Sequence, residues 1–264
     1  MVNSKKLRPI ILAGGSGKRL WPLSTKKKPK QFISLFGEYS LFDLSLQRFN
    51  NSSLFKKPII VTSEDYLEFI EDSFIRTGVE AEKVILEPLS KNTFPAVSIA
   101  VLIALEKHKN ENFIVAPSDH YMSKNKEFHN ACSLVKANAD QDGLILFGIK
   151  PETPSPEYGY ITTYGPSEGI NKVKSFIEKP DLNKAKQLIK KNEVLWNAGI
   201  FVFKGSWFLN TCKKINKEIL DQIKEIKLKE YPYGLNIALD KEKYKKLPDS
   251  SFDKAFVEKN SEIN

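Results

Sequence analysis

A glycine-rich segment directly after a short apolar run constrains this chain more than any other feature. Residues 10–13, Ile-Ile-Leu-Ala, have the composition of a buried parallel strand. Three closely spaced glycines follow: Gly14, Gly15 and Gly17. Glycine permits positive φ and a close approach of the backbone to a ligand, and the N–H groups of such a turn attract anions. With the cations Arg19 and Lys30 nearby, the segment predicts a loop that binds a polyphosphate.

Two common phosphate-binding motifs do not fit this loop. A Walker A loop ends in Gly-Lys-Ser/Thr, whereas Gly17 and Lys18 are followed by Arg19, so no hydroxyl is placed for magnesium. The dinucleotide fingerprint needs a third glycine where this sequence has Leu20. An ordinary strand-to-helix turn without a ligand is the alternative, but it leaves the two nearby cations unexplained.

Apolar strands alternate with helices over the first 150 residues. The predicted strands are 10–13, 58–62, 83–87, 112–116 and 143–148, and the predicted helices are 40–50, 63–77, 92–107 and 126–139. This alternation is typical of right-handed βαβ units, so we predict an α/β fold with a mostly parallel central sheet flanked by helices. Ligands of such sheets bind beyond the carboxyl ends of the strands, where the glycine loop, Glu87 and Asp119 fall.

The second half has shorter and more polar elements. We predict strands at 158–164, 173–178 and 195–203, helices at 181–191 and 206–229, and a loop with a short helix over 247–260. No internal repeat or low-complexity linker interrupts the chain, so we expect one α/β domain over residues 1–264.

Composition argues against several classes of partner. The net charge is +9, but the lysines are scattered and lack the interleaved aromatic residues that stack bases, so we expect no nucleic-acid partner. No apolar run approaches the ~20 residues of a membrane span, and the start lacks a secretory apolar region, so we expect a cytoplasmic protein without a membrane partner. Cys132 and Cys212 are predicted to be reduced thiols in the core, which suits that compartment.

Several polar residues are candidates for a site. Asp119, at the end of a strand, is well placed to hold magnesium, although capping a helix is the alternative. His120 beside it is expected to be structural or to support a metal ligand. Glu87 and the segment 91–96 place polar groups ahead of a helix near the glycine loop, as either a base-recognition edge or a helix cap.

A second group of candidates follows later strands. Glu178 and Lys179 suit a sugar phosphate, because the carboxylate accepts hydroxyl hydrogen bonds worth roughly 1.5–3 kcal/mol each while the lysine meets the phosphate. A surface ion pair worth about 0–1 kcal/mol is the alternative. Asn197 can donate and accept at once, and Gly199 lets a sugar ring approach the backbone, although a buried asparagine at a strand bulge explains the pattern equally well.

These segments, in this order, resemble the sugar nucleotidyltransferases, and most closely the bacterial mannose-1-phosphate guanylyltransferases. The matching segments are 12–24, 29–32, 87–96, 117–120, 176–180 and 196–201. The resemblance implies a Rossmann-like nucleotidyltransferase domain in which the phosphate of mannose 1-phosphate attacks the α-phosphorus of GTP, giving GDP-mannose and pyrophosphate. Another sugar-1-phosphate nucleotidyltransferase, or a truncated domain that binds nucleotide without turnover, is the alternative.

The resemblance also implies roles for individual residues. Arg19 and Lys30 would stabilise charge on the phosphates as catalytic cations, and Asp119 would hold Mg²⁺. The implied nucleotide-binding residues are Leu12, Ala13, Gly14, Gly15, Gly17, Glu87, Asn92, Thr93 and Ala96. The implied sugar-phosphate-binding residues are Gly159, Glu178, Lys179, Asn197 and Gly199.

Two departures from the family pattern stand out. Lys18 replaces a small hydroxyl residue, usually threonine, which adds positive charge to the loop. In the family, the segment matching 251–259 is followed by a Trp-Ser-Asp-Val-Gly motif that supplies a second magnesium ligand, and the long form adds an isomerase domain; neither occurs in these 264 residues. We therefore expect an incomplete carboxyl end, reduced activity without that aspartate, and a possible homo-oligomer through the helix at 206–229 or the chain end.

Overall fold

The computed structural model of the chain describes residues 6–15, 20–25, 27–108, 110–165, 169–230 and 235–260. Its strands are β1 (Leu7–Leu12), β2 (Ile59–Ser63), β3 (Lys83–Glu87), β4 (Asn112–Pro117), β5 (Leu144–Ile149), β6 (Tyr160–Thr163), β7 (Val173–Ile177), β8 (Val194–Lys204), β9 (Leu228–Glu230) and β10 (Asn236–Leu239). Its helices are α1 (Leu41–Phe49), α2 (Leu67–Thr77), α3 (Thr93–Lys107), α4 (Asn125–Asn138), α5 (Leu182–Leu188), α6 (Gly205–Ile215), α7 (Lys217–Lys224) and α8 (Lys241–Lys245). Short helical turns lie at Lys30–Phe32, Glu64–Tyr66 and Asp253–Val257.

Within these described ranges, ten strands form one sheet. Their order is β7-β6-β8-β4-β1-β2-β3-β10-β9, with β5 paired to β8 beside this path. The central run from β4 to β10 is parallel throughout. Leu12 lies opposite Val61 of β2 and Pro117 of β4, so the carboxyl ends of these strands open at one edge. The predicted α/β class with a mostly parallel central sheet is confirmed.

Both faces of the sheet are covered by helices because successive strand residues point to opposite sides. Ile10 belongs to the apolar core that packs against α3, α6 and α7, whereas its neighbour Ile11 belongs to the core that packs against α1, α2 and α4. Cys212 lies in the first core and Cys132 in the second, both as free thiols, so their predicted core positions are confirmed.

Local signals account for several helix ends. Ser40 caps α1: its hydroxyl accepts from the backbone N–H of Asp43, and the Asp43 carboxylate accepts from the N–H of Ser40. Gly78 ends α2 with φ of 66°, a conformation that favours glycine. In the part of the chain that the structure describes, no helix is long and apolar enough to cross a membrane.

The sheet continues beyond the parallel run through antiparallel pairs. β5 follows α4 as predicted, but its partner is β8, which runs antiparallel to it. The carboxyl-terminal half of β8 lies between β4 and β5, and its amino-terminal half pairs with β6. A strand from a much later part of the chain therefore separates β5 from β4, which no local pattern reveals.

The predicted continuous helix over 206–229 is wrong. Asn216 interrupts it with φ of −144°, and the segment forms α6, α7 and the edge strand β9. The side-chain amide of Asn216 donates to the backbone oxygen of Ala255 at 2.6 Å, so a contact with a distant segment stabilises the break. β10 and α8, which the sequence did not predict, follow this region, and β10 joins the sheet beside β3. Oligomerisation through this segment stays a prediction.

Candidate active site

A cleft of about 530 Å³ opens at the carboxyl ends of the parallel strands. It is lined by nine of the residues predicted to bind nucleotide, phosphate or metal: Leu12, Gly14, Gly15, Lys30, Glu87, Asn92, Thr93, Ala96 and Asp119. Its other lining residues are Gln31, Val61, Ser90, Pro117 and Ser118. The predicted residues come from five separate segments, and the parallel register of the strands brings them to one cavity. Two further predicted residues, Gly17 and Arg19, lie outside the described residues.

Gln31 holds the start of the glycine loop in place. It is 2% exposed, and its side-chain amide donates to the backbone oxygens of Ala13 at 3.0 Å and Gly15 at 2.9 Å. The N–H of Ala13 donates to the oxygen of Val61 at 2.7 Å. Ala13 is thus buried behind the cleft and supports the loop through its backbone, while Gly14 and Gly15 line the cavity.

Lys30 and Asp119 face each other at the cleft. The Lys30 ammonium group lies 2.6 Å from the Asp119 carboxylate, and both side chains are about one-third exposed. The backbone N–H of Ser118 donates to the oxygen of Leu12 at 3.1 Å, which fixes Asp119 beside the start of the glycine loop. A cation and a carboxylate that can each exchange partners therefore stand next to the predicted phosphate-binding loop.

His120 has a structural position behind Asp119. Its backbone oxygen accepts a hydrogen bond at 3.0 Å from the guanidinium of Arg48, a side chain that is 2% exposed. Burial lowers the pKa of His120, which favours the neutral imidazole. Among the described residues, no group of three or more His, Cys, Asp or Glu side chains is arranged to hold a metal ion. Asp119 alone fits Mg²⁺ when substrate phosphates and waters complete the coordination, which is a common arrangement for this ion.

Glu87 forms a buried wall of the cleft. The hydroxyl of Tyr244 in α8 donates to Oε1 of Glu87, and burial raises the pKa of Glu87 to about 7. Burial also raises the pKa of Tyr244, so its hydroxyl stays a donor. A Cβ added at Gly14 would lie 2.8 Å from Oε2 of Glu87, which explains the need for glycine there. Tyr244 has no signal in the sequence, because its segment carries no apolar periodicity.

The segment before α3 acts as a helix cap and also lines the cleft. Asn92 has φ of 63°, and its side-chain oxygen accepts from the N–H of Thr93 at 3.0 Å. The hydroxyl oxygen of Thr93 accepts from the N–H of Phe252 at 2.8 Å. The N–H of Phe94 donates to the oxygen of Ser250 at 3.0 Å. The segment around residue 251 is therefore tied to the wall of the cleft.

The predicted sugar-phosphate residues also come together. A Cβ added at Gly159 would lie 2.8 Å from Oε2 of Glu178 and 3.3 Å from Cβ of Asn197. The N–H of Asn197 donates to the oxygen of Gly159 at 2.8 Å, and Lys179 pairs with Glu178 at 2.6 Å. The N–H of Gly199, which has φ of 65°, donates to the side-chain oxygen of Asn197 at 3.1 Å. We call these predicted residues the sugar cluster: Gly159, Glu178, Lys179, Asn197 and Gly199.

Asp253, which had no predicted role, contacts the sugar cluster. The side-chain amide of Asn197 donates to Oδ1 of Asp253 at 2.7 Å. Burial and the nearby negative charge of Glu178 raise the pKa of Asp253 to about 6. Because Phe252 bonds to Thr93 at the cleft, two consecutive residues of the same segment contact the cleft wall and the sugar cluster.

Residues 8–240 match the family described as nucleotidyl transferase. The chain belongs to this family. The glycine loop, Lys30 and Asp119 all fall within the matched part of this nucleotidyl transferase, whereas Tyr244 and Asp253 lie beyond it.

Relatives of this nucleotidyl transferase include proteins of polysaccharide biosynthesis. The alginate biosynthesis protein AlgA of Pseudomonas fluorescens is 34% identical over 254 residues, which cover 95% of this chain and 52% of AlgA. The mannose-1-phosphate guanylyltransferase of Escherichia coli is 34% identical over 264 residues, which cover 97% of this chain and 56% of that protein. The chain spans about half the length of the curated relatives it matches.

One solved structure superimposes over nearly its whole length. The crystal structure of mannose-6-phosphate isomerase from Helicobacter pylori has a TM-score of 0.83 and 29% identity, and the match covers 98% of this chain and 96% of that one. The architecture of this nucleotidyl transferase is therefore that of a known protein domain over nearly the whole chain.

Proposed function

We propose that this chain transfers GMP from GTP to mannose 1-phosphate, releasing pyrophosphate and forming GDP-mannose. The observation that carries the proposal is the adjacency of two sites. The cleft with the glycine loop, Lys30 and Asp119 is joined through residues 252 and 253 to the sugar cluster. The name of the Escherichia coli relative supports the choice of mannose and GTP.

Catalysis in this proposal comes from alignment and charge neutralisation, because phosphoryl-type transfer needs little covalent chemistry from the protein. Lys30 donates to phosphate oxygens as charge builds up on them, and its 2.6 Å contact with Asp119 puts it beside the glycine loop. Asp119 would hold Mg²⁺, which would supply Lewis-acid neutralisation of the phosphates. Arg19, which the family resemblance implies as a second catalytic cation, keeps that role in the proposal.

Glu87 is proposed to select guanine. Above its pKa of about 7, the Glu87 carboxylate has two acceptor oxygens, which match the N1–H and 2-amino donors of guanine. Adenine has no such pair of donors on the same edge. The hydroxyl of Tyr244 occupies Oε1 from one side and fixes the carboxylate at the wall of the cleft.

The sugar cluster is proposed to hold mannose 1-phosphate. Glu178 and Asn197 both pack closely against Gly159, where a Cβ would lie 2.8 Å from Oε2 of Glu178 and 3.3 Å from Cβ of Asn197, so glycine lets the three residues come together. Lys179 is about half exposed and can turn from Glu178 to the sugar phosphate. The buried, uncharged thiols and these phosphorylated substrates support a cytoplasmic location, which is part of the proposal.

The decisive experiment measures pyrophosphate release with magnesium, each of four nucleoside triphosphates, and mannose 1-phosphate or glucose 1-phosphate. We expect GTP with mannose 1-phosphate to be the best pair, and Lys30→Ala and Asp119→Ala to abolish release. A different best pair would indicate another sugar nucleotidyltransferase. GTP binding without release would indicate a nucleotide-binding domain that does not turn over. An assay for isomerisation of mannose 6-phosphate tests the activity named for the Helicobacter pylori protein.

A further inference from the structure

Asp253 fixes the side-chain amide of Asn197 in one orientation. The amide nitrogen donates to Oδ1 of Asp253 at 2.7 Å, and the amide oxygen accepts from the N–H of Gly199 at 3.1 Å. A rotated amide would place its oxygen against a carboxylate and its nitrogen against an N–H donor. Asp253 and the N–H of Gly199 therefore favour the same orientation of the amide. Each of them uses only one of the hydrogen bonds that its amide nitrogen or amide oxygen can form.

The groups left over on Asn197 suit a sugar hydroxyl. Within the described part of the chain, one N–H of its side-chain nitrogen and one lone pair of its side-chain oxygen remain available, so the amide can both donate and accept. A hydroxyl group likewise donates once and accepts twice. Gly159 packs closely beside Asn197, because a Cβ there would lie 3.3 Å from Cβ of Asn197 and 2.8 Å from Oε2 of Glu178.

Asp253 reaches Asn197 from a segment that is anchored elsewhere. The N–H of Phe252 donates to Thr93 at 2.8 Å, and the side-chain amide of Asn216 donates to the oxygen of Ala255 at 2.6 Å. These contacts lie on both sides of Asp253 in the chain, so its carboxylate is held in place rather than drawn to Asn197 by chance. Such fixed support is what orients a binding group.

Resting on the function proposed above, we propose that Asp253 is a positioning residue for the sugar ring, acting through Asn197. The ligand class is a hexose 1-phosphate, or the hexose of the nucleoside diphosphate sugar formed from it. Asp253 lies outside the stretch of residues 8–240 that matches the family. Its contribution is to sugar affinity, and the affinity for the nucleotide is not expected to depend on it.

The test compares GDP-mannose with GDP by calorimetry, because the ratio of the two affinities isolates the contribution of the sugar. Asp253→Ala is expected to reduce this ratio by about tenfold, the effect of losing a hydrogen bond to a charged group, with GDP affinity unchanged. Asp253→Asn keeps an acceptor oxygen and is expected to lose less. Asp249→Ala, which removes an exposed aspartate of the same segment, is the matched control and should leave the ratio unchanged.

A double-mutant cycle separates positioning from general stability. In an Asn197→Ala background, Asp253→Ala should reduce the ratio by less than about twofold, because the amide it positions is gone. Three outcomes would each overturn the proposal. The ratio of GDP-mannose to GDP affinity could be the same in wild type and Asp253→Ala, or Asp253→Ala could weaken GDP binding as much as GDP-mannose binding. Asp253→Ala could also reduce the ratio as strongly in the Asn197→Ala background as in the wild type.

The same measurements distinguish this proposal from the proposed function. If the wild type binds GDP-glucose more tightly than GDP-mannose, the assignment of mannose fails. The effect of Asp253→Ala is then measured on the ratio of GDP-glucose affinity to GDP affinity. If no nucleoside diphosphate sugar binds more tightly than its nucleoside diphosphate, the sugar cluster is not a sugar site and both proposals are overturned.

Discussion

The ammonium group of Lys30 lies 2.6 Å from the carboxylate of Asp119, so the residue proposed to neutralise phosphate charge is paired with the residue proposed to hold magnesium. Lys30 contacts one oxygen of this carboxylate, Oδ2, and the second oxygen could also meet a cation. In the proposed mechanism, Lys30 would turn from Asp119 toward a phosphate when substrate binds. Because both side chains are partly exposed, the pair itself is worth only about 0–1 kcal/mol of stability.

Lys30→Met removes the charge and keeps most of the side-chain length. We expect pyrophosphate release to fall by about 100-fold, since the loss of one preorganised donor to developing negative charge has effects of this size. The melting temperature should change little. Lys28→Met, at an exposed lysine two residues earlier, is the control and should retain activity. Unchanged turnover in Lys30→Met would remove Lys30 from the proposed mechanism.

Glu87→Gln is expected to make the free energy of unfolding less dependent on pH. The pKa of Glu87 is raised from 4.5 to about 7 in the fold, so its stabilising contribution is complete below pH 4.5 and is lost as pH rises through 7. This loss lowers the free energy of unfolding of the wild type by about 3 kcal/mol at alkaline pH relative to its value below pH 4.5. Urea denaturation at pH 5 and pH 8 measures it, with the exposed Glu106→Gln as control. The same pH dependence in wild type and Glu87→Gln would contradict the buried position of this carboxyl group.

Glu87→Gln should also reduce the preference for guanine. Inosine triphosphate lacks only the 2-amino group of GTP, so the GTP-to-ITP affinity ratio reports the proposed contact directly. We expect a wild-type ratio of roughly tenfold or more, within the range of a bidentate base contact, and a ratio near one in the variant. Equal ratios in both proteins would show that another group recognises the base.

Gly14→Ala and Gly15→Ala form a matched pair for the glycine loop. A Cβ at Gly14 would lie 2.8 Å from Glu87, which is buried and bonded to Tyr244. A Cβ at Gly15 would have no heavy atom of the described residues within 4 Å, its chain neighbours aside. We expect Gly14→Ala to lower the free energy of unfolding by about 1–3 kcal/mol and Gly15→Ala to have little effect. Denaturant unfolding of both variants checks this, and equal stabilities would contradict the tight contact.

Short-range patterns were sufficient for most of the fold. The apolar runs of β2, β3 and β4 and the helices between them were predicted to within a few residues. Ser40 and Gly78 mark helix ends through hydrogen bonds and dihedral angles that involve only neighbouring residues. Because parallel strands align their carboxyl ends, the same patterns also indicated which segments would meet at the cleft.

The sequence by itself therefore determined the α/β class and brought the glycine loop, Glu87 and Asp119 to one edge of the sheet, because these depend on local composition and on the regular geometry of parallel strands. The family resemblance supplied the other predicted residues of the cleft. Only the tertiary structure decided the insertion of β8 between β4 and β5, the pairing of Lys30 with Asp119, and the partners of two buried carboxyl groups. Tyr244 and Glu87 are 157 residues apart, and Asn197 and Asp253 are 56 apart. Such contacts form only when packing excludes water from groups that are distant in the chain, and no local pattern encodes that exclusion.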